Sequence, residues 1–289
     1  MAQGNGGERL TEKMKITMDN GISQITLGDS SCDFRLLAYS GFDAADIDVQ
    51  TSISGASDGG YISSARFGTR TLGIKFDFGG NGAESVRQSL IHFFAPSRTT
   101  RISVQRGNVK REIEGRVSDF HIEEKNRFSF SSVNVSILCP DPYFKSVETV
   151  YLGTAISMPK FHLPCHFPCA IGTQISTGYV EIMNNGDTYA DMVAELIPAS
   201  PITAPYILNQ TNGKRIRLLS ELEIGDRVII STVRRAKTAT VNGNRALIDP
   251  TSVFSDFLES GLNQIAYGSD NGSDTISASL QYTALYLGV

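Results

Sequence analysis

A proline-bracketed stretch in the middle of the chain, Cys139-Pro140-Asp141-Pro142-Tyr143-Phe144, most limits what this sequence can fold into. Each proline removes a backbone donor and restricts the residue before it to extended conformations. Because of this, neither a helix nor a central strand of a sheet can run through the stretch. Short strand-like segments of different character precede and follow it. We therefore predict that the stretch is a joint between two parts that fold separately.

The size and composition of the chain agree with two ordinary globular domains. With 289 residues, 40% hydrophobic and 19% charged, the chain is long enough for two cores and does not have a disordered composition. The net charge of -4 gives no whole-chain argument for attraction to nucleic acids or membranes. No apolar stretch reaches the length of a bilayer span, and no basic segment leads into an apolar core, so we expect no secretory signal.

The N-terminal half is predicted to be a β-rich domain with one helix over residues 14–145, after a flexible, polar leader over residues 1–13. Short alternating segments begin at Ile16, and residues 66–78 end in strict alternation with Leu72, Ile74, Phe76 and Phe78 on one face. The helix is indicated by apolar residues at helical spacing, an Asn81/Glu84 cap and a stop at Pro96. Its apolar residues are Ala83, Val86, Leu90, Phe93 and Phe94.

Two irregular regions are predicted in this half. Residues 43–60 are rich in Ser, Gly and Asp and are expected to form a long polar loop that is functional or mobile. The apolar residues change parity between Phe130 and Val133, which predicts a bulge or bend near Ser131 and Ser132.

Residues 99–120 are predicted to form a hairpin around the turn Arg106-Gly107-Asn108, and this hairpin is rich in Lys and Arg. One interpretation is a solvated hairpin with exposed ion pairs, because five carboxylates are interleaved between residues 98 and 127. The other is a basic face that points toward a polyanion, formed by the cations of the same stretch: Arg98, Arg101, Arg106, Lys110, Arg111, Arg116, Lys125 and Arg127.

The C-terminal half, residues 146–289, consists of regularly spaced strand-like segments separated by turn residues such as Asn212-Gly213, Gly225-Asp226 and Asn242-Gly243-Asn244. Since it contains no helix of ordinary length, we predict an antiparallel β-sandwich or jelly roll. The fold class of the whole chain is therefore mainly β.

A search for catalytic or metal-binding patterns indicates no cofactor and no enzyme. Four cysteines are too sparse for a disulfide scaffold, so we expect reduced thiols: Cys32, Cys139, Cys165 and Cys169. Nitrogen and sulfur ligands cluster in a segment that two prolines stiffen, and no second ligand pair lies at the usual spacing, so a packing connector is favoured over zinc binding. These weak metal candidates are His162, Cys165, His166 and Cys169. Asp226, Asp249 and Asp256 are most simply turn residues.

The order of these features resembles the distal tail protein family of phages with long, flexible, non-contractile tails. In the N-terminal half the resemblance rests on Asp58-Gly59-Gly60, the strand over residues 66–78, the single helix that ends at Pro96, and the stretch from Cys139 to Phe144. In the C-terminal half it rests on an ordered set of turn motifs: Ile182-Met183-Asn184-Asn185-Gly186-Asp187, Asn212-Gly213, Leu222-Glu223-Ile224-Gly225-Asp226, Val241-Asn242-Gly243, Gly261-Leu262-Asn263 and Tyr286-Leu287-Gly288-Val289.

This resemblance implies a structural hub. Members of the family form a hexameric ring through the N-terminal domain, between the tail tube and the tail-tip protein, around a channel for DNA, and carry a galectin-like C-terminal sandwich. It implies a homo-oligomer in the virion tail tip, made in the cytoplasm of the bacterial host, that contacts tail-tube and tail-tip proteins and, in some relatives, a receptor-binding protein or host glycan. A polar loop over residues 43–60 could order against a neighbouring subunit.

The oligomer-interface candidates are then Asp58, Gly59, Arg66 and Arg70, and the channel-facing candidates are Arg106, Lys110 and Arg111. Passing DNA is expected to be contacted weakly and without sequence preference. The alternative is a carbohydrate-binding β-sandwich that aids attachment to the host surface, for which Tyr179, Tyr189, Tyr206 and Tyr267 are the available aromatic residues. A third alternative, a nucleic-acid-binding protein that uses the basic hairpin, conflicts with the overall charge.

Overall fold

The protein is described by a computed structural model that covers residues 14–29, 34–53, 55, 58–79, 83–123, 130–147, 149–154, 179–271 and 276–289. The chain divides into two compact units: Met1–Val147 together with Tyr286–Val289, and Glu148–Leu285. The predicted leader, the Asn81 cap, Cys32 and the four weak metal candidates His162, Cys165, His166 and Cys169 lie outside the described residues.

The first unit contains ten strands and one helix before the chain enters the second unit. These elements are β1 (Lys15–Asp19), β2 (Gln24–Leu27), β3 (Arg35–Ser40), β4 (Ile47–Ile53), β5 (Gly60–Phe67), β6 (Arg70–Phe78), α1 (Ala83–Phe93), β7 (Thr100–Arg106), β8 (Val109–Glu123), β9 (Ser131–Cys139) and β10 (Phe144–Ser146). Seven of the strands follow the antiparallel order β2-β1-β7-β8-β9-β6-β3. The predicted hairpin over residues 99–120 is confirmed as β7 and β8, with Gly107 at a φ of 58° in the turn.

Strand β8 is shared by the two halves of this sheet. Its first part pairs with β7 up to Gly115, and its second part pairs with β9 from Arg116 onward, with a register shift between Val117 and Asp119. A Cβ at Gly115 would lie 2.7 Å from Ile137 Cγ2 and 2.8 Å from Cys139 Sγ, so only a glycine fits where the strand changes partner. The buried faces of both halves contribute to one hydrophobic cluster.

The core of the first unit follows the alternation of the sequence. Leu72, Ile74, Phe76 and Phe78 of β6 are all buried, as predicted, while the intervening residues are not. Helix α1 has an exposed face and an apolar stripe that packs on the same cluster. The stripe is completed by Phe94, whose amide donates to Leu90 at 3.0 Å just after the helix ends.

Two sequence-based expectations for this unit need correction. The bulge expected near Ser131 and Ser132 is absent from the described residues, because β9 begins at Ser131 and pairs with β6 in continuous register. The expected loop over residues 43–60 contains strand β4, which pairs with β5.

The stretch from Cys139 to Phe144 lies near the end of the first unit. Phe144 is fully buried in the core of this unit, and β10 pairs with β8.

The second unit is an antiparallel sandwich, as the alternation predicts. Its strands are β11 (Val150–Thr154), β12 (Tyr179–Asn184), β13 (Asp191–Pro198), β14 (Ile202–Thr203), β15 (Tyr206–Asn209), β16 (Arg215–Arg217), β17 (Glu221–Leu222), β18 (Val228–Ser231), β19 (Thr238–Val241), β20 (Asn244–Arg245), β21 (Gly261–Gly268) and β22 (Ile276–Thr283); β23 (Leu285–Tyr286) follows at the division. The order is β11-β22-β13-β18-β19-β20 in one sheet and β12-β21-β15-β16 in the other. Buried residues of both sheets form a second cluster.

Turn chemistry in this unit agrees with the sequence. Asn242 and Gly243 both have positive φ, 50° and 81°, and connect β19 to β20 as a two-residue hairpin turn. The residues Gly213, Gly225 and Gly261 also adopt positive φ in predicted turns.

The division between the units differs from the sequence-based one at its end. The sequence places Tyr286–Val289 in the C-terminal domain, whereas the structure assigns these residues to the first unit. The reason is a set of backbone and side-chain contacts that the four residues make with the first unit. No helix within the described ranges is long and apolar enough to cross a membrane.

Candidate assembly surface

The hairpin formed by β4 and β5, residues 47–67 and here called the arm, has no buried face. Its two strands pair with each other and with no other strand among the described residues. Almost every described residue of both strands is exposed, including Ile53 at 83% and Ile62 at 66%. Alternate residues of a strand point to opposite faces, so both faces of the arm are open to a partner.

The contacts within the arm are those of an exposed hairpin. Arg66 pairs with Asp48 at 3.0 Å across the two strands, and both side chains are solvated. Such a pair contributes little to stability. Of the interface candidates, Asp58 and Gly59 lie exposed at the turn, where Gly59 has a φ of 93°. All three residues belong to the arm, but Arg66 lies near its base and Asp58 and Gly59 lie at its turn, and their role at an interface stays a prediction.

Arg70 does not lie on this surface, and its prediction as an interface residue was wrong. It is 1% exposed, and its guanidinium donates to the backbone oxygens of Gly41 (2.6 Å), Asp43 (3.0 Å), Pro142 (2.7 Å) and Leu287. The five N–H donors of a guanidinium are able to serve several carbonyl acceptors at once. Arg70 therefore organises the root of the arm, which we define as residues 41–46 and 67–70.

The electrostatics of the root follow from burial. Desolvation lowers the pKa of the Arg70 guanidinium, and the neighbouring Cys139, Asp43 and Asp46 act in the opposite direction. The face of the Phe144 ring lies 4.9 Å from the guanidinium carbon and adds a cation–π contact.

Aromatic and backbone contacts hold both ends of the root. Phe42 is buried and stacks on Phe144, with ring centroids 6.2 Å apart. On the other side, Phe67 meets Tyr143 edge-on at 5.8 Å, and the Gly68 amide donates to Asp46 at 2.8 Å. The root is therefore ordered while the arm beyond it is exposed.

Residues Tyr286–Val289, here called the return segment, lie against the root. The Val289 amide donates to the Phe42 oxygen at 3.0 Å, and a Cβ at Gly288 would lie 2.5 Å from the Asp43 oxygen. This close approach of two backbones requires a glycine at position 288. Sequence periodicity could not reveal these contacts, because they join residues more than 200 positions apart.

Arg111 is occupied by the return segment. Its guanidinium carbon lies 3.7 Å from the centroid of the Tyr286 ring, and it donates to the Gly288 oxygen. These contacts hold the guanidinium within the first unit, so a channel-facing role for Arg111 does not agree with its surroundings. Arg106 and Lys110 are exposed at the end of the β7–β8 hairpin, and their channel-facing role stays a prediction. Arg101 pairs with Glu114 at 3.2 Å, as the solvated-hairpin interpretation expects.

A second exposed feature of the first unit is strand β3, at the end of the sheet. Within the described ranges β3 pairs on one edge alone, with β6, and its residues Leu37 and Tyr39 are exposed apolar side chains. An open edge of this kind is able to accept another strand.

In the second unit, three buried asparagines organise one end of the sandwich. Asn184, Asn209 and Asn263 are at most 1% exposed, and their amides bond to the backbone of the loops around them. Asn209 also donates to Asn263 at 2.9 Å. Two of the three belong to the turn motifs on which the family resemblance rests, and Asn209 is not predicted from the sequence because an asparagine near a turn is usually solvated. The two motifs that contain Asn184 and Asn263 therefore hold the surrounding loops in place.

The remaining polar candidates of this unit have structural partners. Asp226 accepts from the Glu223 amide at 2.9 Å and from Asn242, and its pKa is lowered by these bonds. Asp249 accepts from Thr251 at 2.7 Å and from Arg217 at 3.0 Å. Asp256 has a positive φ of 52°. All three thus lie in turns, as expected.

A polar cleft in the second unit, lined in part by Tyr189, Arg234 and Lys237, has a volume of about 20 Å³, which accommodates little more than one water molecule. Tyr189 is exposed, whereas Tyr179, Tyr206 and Tyr267 are half-buried. Sugar binding stays a prediction. The described residues contain no cluster of three metal-ligating side chains.

Residues 185–286 match the family model described as the siphovirus-type tail component, C-terminal domain. Among solved structures, the chain is similar to the Dit (gp 19.1) protein of SPP1, described as a paradigm of the hub adsorption apparatus in phages that infect Gram-positive bacteria. That alignment has a TM-score of 0.66 and 12% identity, covering 94% of this chain and 99% of the other. A chain of the phage P2 baseplate in its activated conformation with calcium aligns with a TM-score of 0.47 and 13% identity, over 94% and 97% of the two chains. No curated protein matches the sequence.

Proposed function

From the match of residues 185–286 to the siphovirus-type tail component family model, we propose that the whole chain is a structural hub protein of a phage tail tip. In this role it forms a ring that joins the tail tube to the tail-tip or baseplate proteins around the DNA channel. The likeness of the fold to the SPP1 hub protein supports the proposal over 94% of the chain. The role is structural and requires no catalytic group.

The observation that carries this proposal is the exposure of the arm. A two-stranded hairpin without a packed face is marginal in water, since the ordering of its backbone is not offset by burial. The arm nevertheless carries the exposed apolar side chains Ile47, Val49, Ile53, Tyr61 and Ile62. A surface of this kind marks an interface. A second copy of the chain fits it best, because that copy offers an open strand edge at β3 with Leu37 and Tyr39.

An arm that binds a different surface on the next copy makes a heterologous interface. Such interfaces generate a ring when the rotation between copies closes and a filament when it does not. The ring is therefore the expected closed product, and six copies are the number that the family resemblance implies. Arg66, Asp58 and Gly59 would lie at that interface.

The exposed cations at the end of the β7–β8 hairpin would face either the channel or the next copy. In a channel, Arg106 and Lys110 would contact DNA through its phosphates alone, and few such contacts keep binding weak and dependent on salt. The remaining proposed partners are the tail-tube protein, the tail-tip protein and, in the outer region, a receptor-binding protein. The proposed location is the virion tail tip, after synthesis in the bacterial cytoplasm.

The proposal is tested by the mass of the purified chain in solution, measured by mass photometry and sedimentation. We expect a closed oligomer, and we expect the double variant Ile53→Ser/Ile62→Ser to raise the concentration needed for assembly by about tenfold or more, as loss of buried apolar area predicts. Ile224→Ser is a matched control, because Ile224 is 67% exposed and belongs to the second unit and not to the arm.

Strictly monomeric wild-type protein at high concentration would contradict the ring. Equal assembly of the arm variant and the wild type would show that the arm is not the interface.

A further inference from the structure

We propose that Arg70 and the return segment set the direction of the arm, so that assembly depends on the last four residues of this sequence as much as on the arm itself. This inference rests on the proposed ring. The described strands of the arm bury neither face against the first unit. Within the described residues, the direction of the arm is therefore determined at its root.

Arg70 binds three chain segments that are distant from one another in sequence. Its donors reach the root at Gly41 and Asp43, the proline-bracketed stretch at Pro142, and the return segment at Leu287. All four acceptors are backbone oxygens, so each bond holds a segment of chain and not a movable side chain. Loss of the guanidinium would leave these oxygens without the donors they use in the folded state.

The return segment also contacts the part of the root that Arg70 binds. It runs alongside Phe42 and Asp43, with an amide bond from Val289 to Phe42 and close backbone contact at Gly288. Arg111 holds it there through Tyr286 and the Gly288 oxygen. The first part of the root, residues 41–46, is therefore contacted by both Arg70 and the return segment.

Through these contacts, the four residues of the return segment help to order the root of the arm. The chain reaches these four residues only after it has passed through the second unit. Completion of the arm's root consequently requires the whole chain, and a chain without an ordered return segment would present an arm with no fixed direction. A misdirected arm cannot meet the same surface on every neighbour, which a closed ring demands.

Two full-length variants test this inference. Arg70→Lys keeps the charge but replaces the planar fork by a compact ammonium with three donors. Gly288→Ala keeps Arg70 and places a methyl group 2.5 Å from the Asp43 oxygen, which pushes the return segment off the root. Arg101→Lys is the matched control, since Arg101 is an exposed arginine paired with Glu114 on the same unit.

The primary measurement is amide hydrogen exchange at Gly68, whose amide closes the root by donating to Asp46. We expect exchange there to accelerate by about tenfold in both variants, with strand β9 unchanged, because opening of the root is local. The concentration needed for assembly should rise by a similar factor, about tenfold, as arm direction is lost. The control should match the wild type in both measurements.

The outcomes separate this inference from the proposed function. If the wild type assembles and both variants exchange and assemble like it, the inference is wrong and the ring stands. If the wild type is monomeric, the ring fails, while exchange at Gly68 still decides whether the return segment orders the root. Should Arg70→Lys unfold the first unit, Gly288→Ala alone decides, because it leaves every donor in place.

Discussion

Burial determines the chemistry of the Cys139 side chain. The thiol is fully buried in the core of the first unit, and this desolvation raises its pKa to about 12, against a smaller opposing effect of Arg70. The thiol is therefore neutral at physiological pH and serves as a packing group, which agrees with the expectation of a reduced cysteine.

From this pKa we predict that Cys139 resists alkylation in the folded protein. An unfolded thiol ionises near its ordinary pKa of about 8.5. The contribution of Cys139 to stability is thus present below that pH and is lost as the pH rises toward about 12. Iodoacetamide labelling at pH 8, followed by peptide mapping by mass spectrometry, measures the alkylation of Cys139. Rapid labelling of Cys139 without urea would contradict it, and the protein in urea provides the positive control.

Asp249 gives the opposite pH dependence. Its pKa is lowered to about 2, first by the hydroxyl and amide of Thr251 and then by Arg217. Its stabilising effect is therefore present above the unfolded pKa of about 3.9 and is lost as the pH falls toward about 2. We predict that Thr251→Val, which removes the hydroxyl donor, raises the carboxyl midpoint measured by NMR titration. An ordinary midpoint in the wild type, or the same midpoint in both proteins, would count against this account.

At the scale of the elements, strand β8 depends on a small residue at position 115. We predict that Gly115→Ala destabilises the first unit by about 1–3 kcal/mol, because the added methyl group would overlap Ile137, Leu138 and Cys139. Urea denaturation followed by circular dichroism measures the change. Gly55→Ala is the matched control: its added Cβ meets no described atom within 4 Å, so the effect should stay within about 0.5 kcal/mol. Equal stability of the two variants would refute this role of Gly115.

The elements that the sequence predicts are those whose pattern is local. Alternation locates β6 and most strands of the sandwich, and helical spacing locates α1, because each buries one face. Strand β4 does alternate, with Ile47, Val49 and Ile53 at one parity, but this short signal lies in a stretch rich in Ser, Gly and Asp, and the first unit does not bury the face to which it belongs. The role of Arg70 is hidden in the sequence for another reason: its four acceptors are brought together only by the completed fold.

At the scale of the whole molecule, the chain contains two separate hydrophobic clusters. One is formed by buried residues of the first unit, and Tyr286 and Val289 pack against it. The other lies between the two sheets of the sandwich. Each unit thus has the core that independent folding requires. The length of the chain and its proline-bracketed stretch predict two units, but the return of the chain to the first unit has no local signal.

Two separate cores predict that the units unfold independently. Phe76→Ala should remove about 3–5 kcal/mol from the first unit, and Leu196→Ala about 2–5 kcal/mol from the second, because both side chains are fully buried. The sequence contains no tryptophan, so intrinsic tryptophan fluorescence cannot follow unfolding. Hydrogen exchange in increasing urea is the suitable measurement, with β9 as the reporter of the first unit and β13 as the reporter of the second. Each variant should lower the urea midpoint of its own unit only, and the exposed Leu247→Ala should change neither. Joint loss of protection in both units with either variant would instead reveal a single cooperative molecule.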